Sequence, residues 1–255
     1  MPVMDFLTIR FVIASIAMII FRPSSLRNIS RSGLLRGVIL GLLLGLSYIT
    51  QTYGLLSASA TVVGFLTGMF VVFTPAVSWF WIHQKVQPIT WFSVFLAALG
   101  LALLSLHGWS IGIGELLTLV CAISLAFYVV GLGKWSPQHE PYSFSLVQLT
   151  SIAVVLLLLS LPGGISIPPD TGVWITVGIT SILATALAFF VQTWAQSLLS
   201  PTHAAVIMTM EPVFAVIFAI AIGNEPLTLR IVGGAFLILC AMLIVQFKRI
   251  PISSR

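Results

Sequence analysis

Long apolar runs recur along the whole chain, and they restrict its fold more than any single motif does. A helix needs about 17 to 25 apolar residues to cross a hydrocarbon layer of ~30 Å. Of the 255 residues, 59% are hydrophobic and only 7% are charged, whereas a soluble domain carries charge on roughly a quarter of its residues. The composition therefore excludes a water-soluble globular domain and predicts an integral membrane protein.

The apolar runs predict nine helical spans, separated by Gly, Pro, Ser and charged residues. None of them shows the alternating pattern of a barrel strand, so the expected fold class is all-α, a polytopic transmembrane helical bundle. The predicted spans are 5–21, 34–56, 60–82, 90–107, 113–133, 144–161, 172–195, 203–223 and 228–247.

The basic residues predict the orientation of these spans. If the loop from Arg22 to Arg36 is cytoplasmic, strict alternation also places Lys85, Lys134 and the tail at 248–255 inside. Nine of the eleven Lys and Arg residues then lie on the cytoplasmic side, in agreement with the positive-inside rule. We therefore expect a cytoplasmic C-terminus. Because the basic residues lie at span ends and form no patch with interleaved aromatics, no nucleic-acid partner is predicted.

Three short matches in the same order indicate an internal repeat. They are "QTY" at 51–53 with "QTW" at 192–194, Pro75 with Pro212, and "QPIT" at 87–90 with "EPLT" at 225–228, at offsets of 141, 137 and 138. The repeat predicts a first copy over residues 1–107 with four spans, a second copy over 113–247 with five, and a cytoplasmic tail at 248–255. Because five is an odd number of spans, the second copy should be inverted in the membrane. The first copy therefore lacks its first helix, which we expect to precede residue 1 or to be missing.

The chain resembles a known family at three places. These are the helix "GELLTLVCAISLAFYVV" at 114–130, Gln148 in the next helix, and the segment from "EPVFA" to "GNEPLT" at 211–228. In a two-repeat chain, these features resemble the EamA-type permeases of the drug/metabolite transporter superfamily. The resemblance implies a secondary transporter of the bacterial inner (plasma) membrane, often an exporter of amino acids or other small metabolites. The chain departs from the family pattern in lacking the first helix and in having Gln84-Lys85 where an acidic residue is common.

Enzyme chemistry is not predicted. The chain has six acidic residues and four histidines, and none of them falls in an HExxH, GxSxG, CxxC or phosphate-loop spacing. We therefore expect no catalytic residues, no metal and no cofactor. The expected partners are a small-molecule solute and the lipid bilayer, with protons as a candidate coupling ion.

Polar and aromatic residues inside the spans are the candidates for a solute pathway between the two halves. A lining of this kind suits an amphipathic or zwitterionic solute, since no basic cluster lies within the membrane. Amino acids and related compounds are therefore the expected solutes. A membrane interaction or assembly protein that transports nothing is the alternative. The candidates are Tyr48, Gln51, Phe70, Ser124, Tyr128, Gln148, Phe189, Gln192 and Glu211.

Glu211 and Pro212 combine two costly features in one span. Glu211 lies about 12 Å from the cytoplasmic start of its span, where a charge costs ~2.5–3.5 kcal/mol. Pro212 removes a backbone hydrogen bond and permits a kink, and Pro75 is the corresponding residue of the first repeat. One interpretation places Glu211 in the pathway as a proton-coupling group, and the other makes it a neutral residue that stabilises the kink.

Three further features each have two interpretations. Gln51 and Gln192, each one turn after an aromatic residue, either guard opposite mouths of the pathway or bond nearby backbone. Arg10 either snorkels to the outer surface, with Asp5 as its partner, or contacts the solute. The glycines spaced by four residues from Gly37 to Gly45 serve either static helix packing or sliding of one bundle over another.

Overall fold

The computed structural model describes residues 2–58, 60–105, 112–211, 214 and 229–247. Its described residues are helical apart from turns and short loops, and they contain no strand. The all-α fold class is therefore confirmed. Among the described residues, five helical segments are long and apolar enough to cross a membrane: Val3–Phe21, Arg31–Ser57, Ile113–Gln138, Pro141–Gly163 and Thr171–Gln196.

The helices follow the order of the predicted spans. They are α1 (Val3–Phe21), α2 (Arg31–Ser57), α3 (Ala60–Gly68), α4 (Phe70–Ile82), α5 (Pro88–Ser105), α6 (Ile113–Trp135), α7 (Pro141–Ser160), α8 (Thr171–Ser181), α9 (Ala188–Gln196), α10 (Pro201–Met208) and α11 (Leu229–Phe247). A π-helical turn at Ile182–Leu187 joins α8 to α9. The predicted span 60–82 is interrupted at Met69, and most of 203–223 lies outside the described residues.

Local sequence signals place several helix starts. Asp170 accepts a hydrogen bond from the Val173 N–H at the start of α8, and the Ser200 side chain caps α10 in the same way. Glu115, in the first turn of α6, accepts a hydrogen bond of 2.8 Å from the Gly112 N–H. Glu115 therefore caps the start of α6.

The chain forms two compact units, and the first comprises Met1–Thr52 and Gly131–Leu199. In this unit α1 packs along α7 in the antiparallel direction. The Thr8 and Ser160 hydroxyls lie 2.9 Å apart, and the Tyr142 hydroxyl donates to the Met18 carbonyl at 2.8 Å. Gly37, Gly41 and Gly45 of α2 lie against α7, and a Cβ added at Gly37 would lie 2.6 Å from a Val147 methyl carbon.

The second unit comprises Tyr53–Val130 and Ser200–Arg255. Here α5 packs along α11, and α4 packs against α10. A Cβ added at Gly100 would lie 2.7 Å from the Gly234 carbonyl oxygen, so the backbones of α5 and α11 approach closely. A small apolar cluster of Val77, Ala126 and Val130 joins α4 to α6.

The two units do not follow the two predicted repeats, because each combines segments from both. Within the units, three of the closely packed pairs are α1 with α7, α4 with α10 and α5 with α11. The predicted repeat treats the spans that contain these pairs as equivalent. The repeat itself stays a prediction.

Candidate functional site

Arg10 is an arginine in the interior of an apolar helix, and it is the starting point of the candidate site. It lies seven residues after Val3, the first residue of the 19-residue α1, and therefore about 10 Å along the helix axis. Its Nε donates to the Thr185 Oγ1 at 2.6 Å, and its Nη2 donates to the Ala184 carbonyl at 3.1 Å. Both anchors are neutral groups of the π-helical turn in the first unit.

The π-helical turn explains how Thr185 can hold the guanidinium. Thr185 is fully buried, and its hydroxyl donates to the Thr180 carbonyl at 2.9 Å, five residues earlier. The oxygen of the same hydroxyl is then available to accept from Arg10. A π-turn inside an α-helix is rare and is frequently found at functional sites. Nothing in the sequence signalled this turn.

The prediction that Asp5 is the partner of Arg10 was wrong. The Asp5 carboxylate accepts a hydrogen bond of 3.0 Å from the Ser166 N–H, whereas Arg10 bonds the π-helical turn. The reason is that α1 packs against α8 and this turn, which sequence spacing cannot show. Asp5 therefore fastens the loop before α8.

Three aromatic rings lie close together beside Arg10, and we call them the aromatic cluster. They are Phe11 of α1, Tyr48 of α2 and Phe189 of α9. The Phe11 ring lies edge-on to Tyr48 with centroids 5.1 Å apart, and its centroid is 6.4 Å from that of Phe189. The Arg10 guanidinium carbon lies 5.7 Å from the Phe11 centroid and 5.9 Å from the Tyr48 centroid. These distances are within the range of a cation–π contact. The cluster thus gives the charged group an aromatic wall.

The aromatic cluster bears on two aromatic–glutamine pairs of the sequence, Tyr48 with Gln51 and Phe189 with Gln192. The gate interpretation of Gln51 and Gln192 places Tyr48 and Phe189 at opposite mouths of a pathway, yet both rings lie beside the Phe11 ring. Sequence analysis missed Phe11 because one aromatic residue in an apolar span is ordinary. The half-buried glutamines of the two pairs, Gln51 and Gln192, each lie one turn beyond the aromatic cluster, and their role as gates stays a prediction.

Gln148 occupies the position in α7 that Arg10 occupies in α1. Each lies seven residues after the first residue of its helix. Gln148 is buried, and its side-chain amide donates to the Phe144 carbonyl at 3.0 Å. The main chain of Gln148 also lies against Gly41 of α2. Gln148 therefore has a packing role, and its predicted pathway role is open.

The other predicted pathway residues lie in the second unit. Phe70, Ser124 and Tyr128 are buried there, with Ser124 and Tyr128 one turn apart on α6. The Glu211 side chain is exposed. Pro75 lies inside α4 as expected, whereas Pro212 lies outside the described residues. The kink predicted at Pro212 is therefore untested.

A group of charged residues joins two loops at one end of the first unit. Arg22 and Glu140 form an ion pair at 2.9 Å, and Arg36 contacts both Gln138 and His139. Burial raises the pKa of Glu140, but the hydrogen bonds from Ser143 and the charge of Arg22 outweigh it and leave the pKa lowered. Burial and the nearby Arg36 lower the pKa of His139.

These features describe an all-helical membrane protein with a polar group held inside its apolar helices. The family comparison agrees with that class. The EamA-like transporter family matches residues 1–106 and 112–247, so the chain belongs to this family. The chain is therefore an integral membrane protein of a transporter family.

The proteins similar to the chain include one relative known by its sequence and one solved structure. An uncharacterized transporter from Archaeoglobus fulgidus is 32% identical over 213 residues, which cover 83% of this chain and 68% of the relative. A solved crystal structure of a protein matches with a TM-score of 0.82 at 15% identity, and the match covers 97% of this chain and 88% of the other. At that identity the likeness shows the fold alone.

Proposed function

We propose that the protein is a secondary transporter that exports a small organic metabolite, with amino acids and related compounds as the first candidates. The family supports a transport role rather than an enzymatic one. Alternating access between two inverted repeats is the proposed mechanism.

The observation that carries the proposal is the combination of Arg10 with the aromatic cluster. A charged side chain at this depth costs ~2.5–3.5 kcal/mol even on insertion scales, so such residues usually face the interior of a bundle or a wet cavity. Aromatic groups beside one polar centre are typical of sites for small amphipathic molecules. A purely structural helix needs neither feature.

Counterflow in proteoliposomes tests the proposal. The purified full chain is reconstituted in vesicles loaded with unlabelled amino acids, and uptake of a labelled amino-acid mixture is measured against protein-free vesicles. We expect a transient accumulation of label that needs the internal amino acids. Folded, monodisperse protein that gives no counterflow with any amino acid would overturn the amino-acid proposal and favour a non-transporting membrane protein.

The two glutamines next to the aromatic cluster are proposed gates of the pathway. Gln51→Ala and Gln192→Ala should each lower counterflow while folded protein is still recovered from the membrane. Single cysteines introduced into the proposed pathway report its accessibility. Their labelling by impermeant reagents should rise in one variant and fall in the other. Gln138→Ala, in the turn before α7, is the matched control. Labelling that is unchanged in both variants would contradict the gate interpretation and favour the one in which these glutamines bond nearby backbone.

A further inference from the structure

We propose that Arg10 is the binding group for a carboxylate of the solute, and that the solute is an organic carboxylate with an apolar side group. This inference rests on the proposed transport function but concerns binding, which can be measured separately. Every group in the argument belongs to the first unit.

The charge of Arg10 has no acidic partner among the described residues. Its two observed acceptors are a hydroxyl and a backbone carbonyl, both neutral. Glu140 is paired with Arg22, and Asp5 on the same helix as Arg10 is bonded to the Ser166 N–H. A positive charge held within apolar helices without a carboxylate favours the binding of an anion from outside the chain.

The geometry leaves the guanidinium able to bind such an anion. A guanidinium has five N–H donors in a planar fork, and the two observed bonds use the Nε–H and one N–H of Nη2. Three N–H groups remain, including both on Nη1. Two of these groups, one on each terminal nitrogen, match the two oxygens of a carboxylate.

The two anchoring bonds also set the orientation of the fork. An arginine side chain loses considerable rotamer entropy when a ligand orders it. Here Thr185 and Ala184 already hold the side chain before any ligand arrives. Thr185 is itself fixed by burial and by its bond to Thr180. Less ordering is therefore needed on binding, which raises affinity.

The aromatic cluster indicates what the rest of the solute is like. Phe11 and Tyr48 both lie within 6 Å of the Arg10 guanidinium carbon, so a carboxylate bound to the fork would bring its attached group near these rings. Rings favour an apolar or aromatic group over a second negative charge. A small, highly charged anion such as a phosphate ester gains nothing from contact with these rings.

Benzoate and benzamide are suitable probes, because they share a ring and differ in the charge of the group that would meet Arg10. Binding of each is measured by calorimetry on the full chain in detergent. A hydrogen-bonded ionic contact contributes about 1.5–3 kcal/mol, so we expect benzoate to bind at least about tenfold more tightly than benzamide. Arg10→Gln should abolish this preference and leave benzamide binding unchanged.

Two further variants keep the test decisive. Arg10→Lys retains the charge but lacks the fork, so it should lose most of the preference even if Arg10→Gln does not fold. Arg22→Gln removes an ion-paired arginine of the same unit and should leave both affinities unchanged. No benzoate binding to the unaltered protein, or an unchanged benzoate preference in Arg10→Lys or Arg10→Gln, would overturn the proposal.

The counterflow assay separates this inference from the transport proposal. Benzoate binding that depends on Arg10, without counterflow of any carboxylate, would retain the site and reject transport. Counterflow that is unaffected by Arg10→Lys would retain transport and reject the site.

Discussion

Gly41 lies so close to Gln148 that a Cβ added at Gly41 would be 2.6 Å from the Gln148 carbonyl oxygen. The same added atom would be 2.6 Å from the Ser151 Cβ. Such distances require a backbone shift, since a carbonyl oxygen cannot rotate away as a flexible side chain can. Gly37 and Gly45 also lie against α7, so these three glycines of α2 form a packed surface against that helix. It supports the static-packing interpretation of these glycines.

Gly41→Ala should therefore destabilise the protein. We expect a loss of about 1–3 kcal/mol, the usual cost of inserting a methyl group into a filled space. Thermal unfolding in detergent measures it. Gly64→Ala is the matched control, because nothing lies within 4 Å of a Cβ added there. The control should be neutral or stabilised by up to about 1 kcal/mol, since alanine favours a helix more than glycine does. Equal stability of the two variants would contradict the contact.

Acid should destabilise the first unit through Glu140 and His139. Both pKa values are lowered in the folded protein. A group with a depressed folded pKa contributes stability that is present above its unfolded pKa and is lost as pH falls through its folded pKa. The loss should begin below the ordinary pKa of histidine and continue below that of glutamate. The individual effects are small, because both groups are partly exposed and screened by solvent.

Single substitutions separate the two contributions. His139→Gln should remove the part of the acid dependence that begins near pH 6.5, the ordinary histidine pKa, and Glu140→Gln should remove the part at lower pH. The measurement is the unfolding temperature in detergent as a function of pH. If both variants lose stability with acid as the unaltered protein does, His139 and Glu140 are not responsible for the acid dependence.

The orientation predicted from the basic residues gives a labelling test. Single cysteines are placed at positions 28 and 170 in a chain whose two native cysteines, Cys121 and Cys240, are replaced. In intact cells, an impermeant thiol reagent should label position 170 and leave position 28 unlabelled, because nine of the eleven basic residues then face the cytoplasm. The reverse pattern would invert the predicted topology.

Glu211 is proposed as a proton-coupling residue, and its substitution tests this. Glu211→Gln keeps the shape of the side chain but cannot ionise. We expect it to fold, to retain solute exchange and to lose the pH dependence of net transport, whereas Glu211→Leu should impair both activities. Transport assays over a pH series compare the variants. An unaltered pH dependence in Glu211→Gln would leave the neutral, kink-stabilising interpretation.

Two features that the sequence determined by itself are the apolar spans and several helix boundaries. A membrane span depends on length and composition, and a cap depends on residues within one turn. The roles of Glu115 at α6 and of Ser200 before His203 could therefore be predicted from local spacing. The break at Met69 was not predicted, because the residues on either side of it are equally apolar.

The candidate site was decided by the tertiary structure. Arg10 meets Thr185 across 175 positions of the chain, and Tyr48 and Phe189 meet at Phe11 only because α1 packs near both. Helices that are apolar on all sides carry no stripe to indicate which face meets which neighbour. The sequence could identify Arg10 as a costly residue in an apolar helix. Only the packing of the helices determined that its partner is a buried hydroxyl in a π-helical turn and that aromatic rings lie beside it.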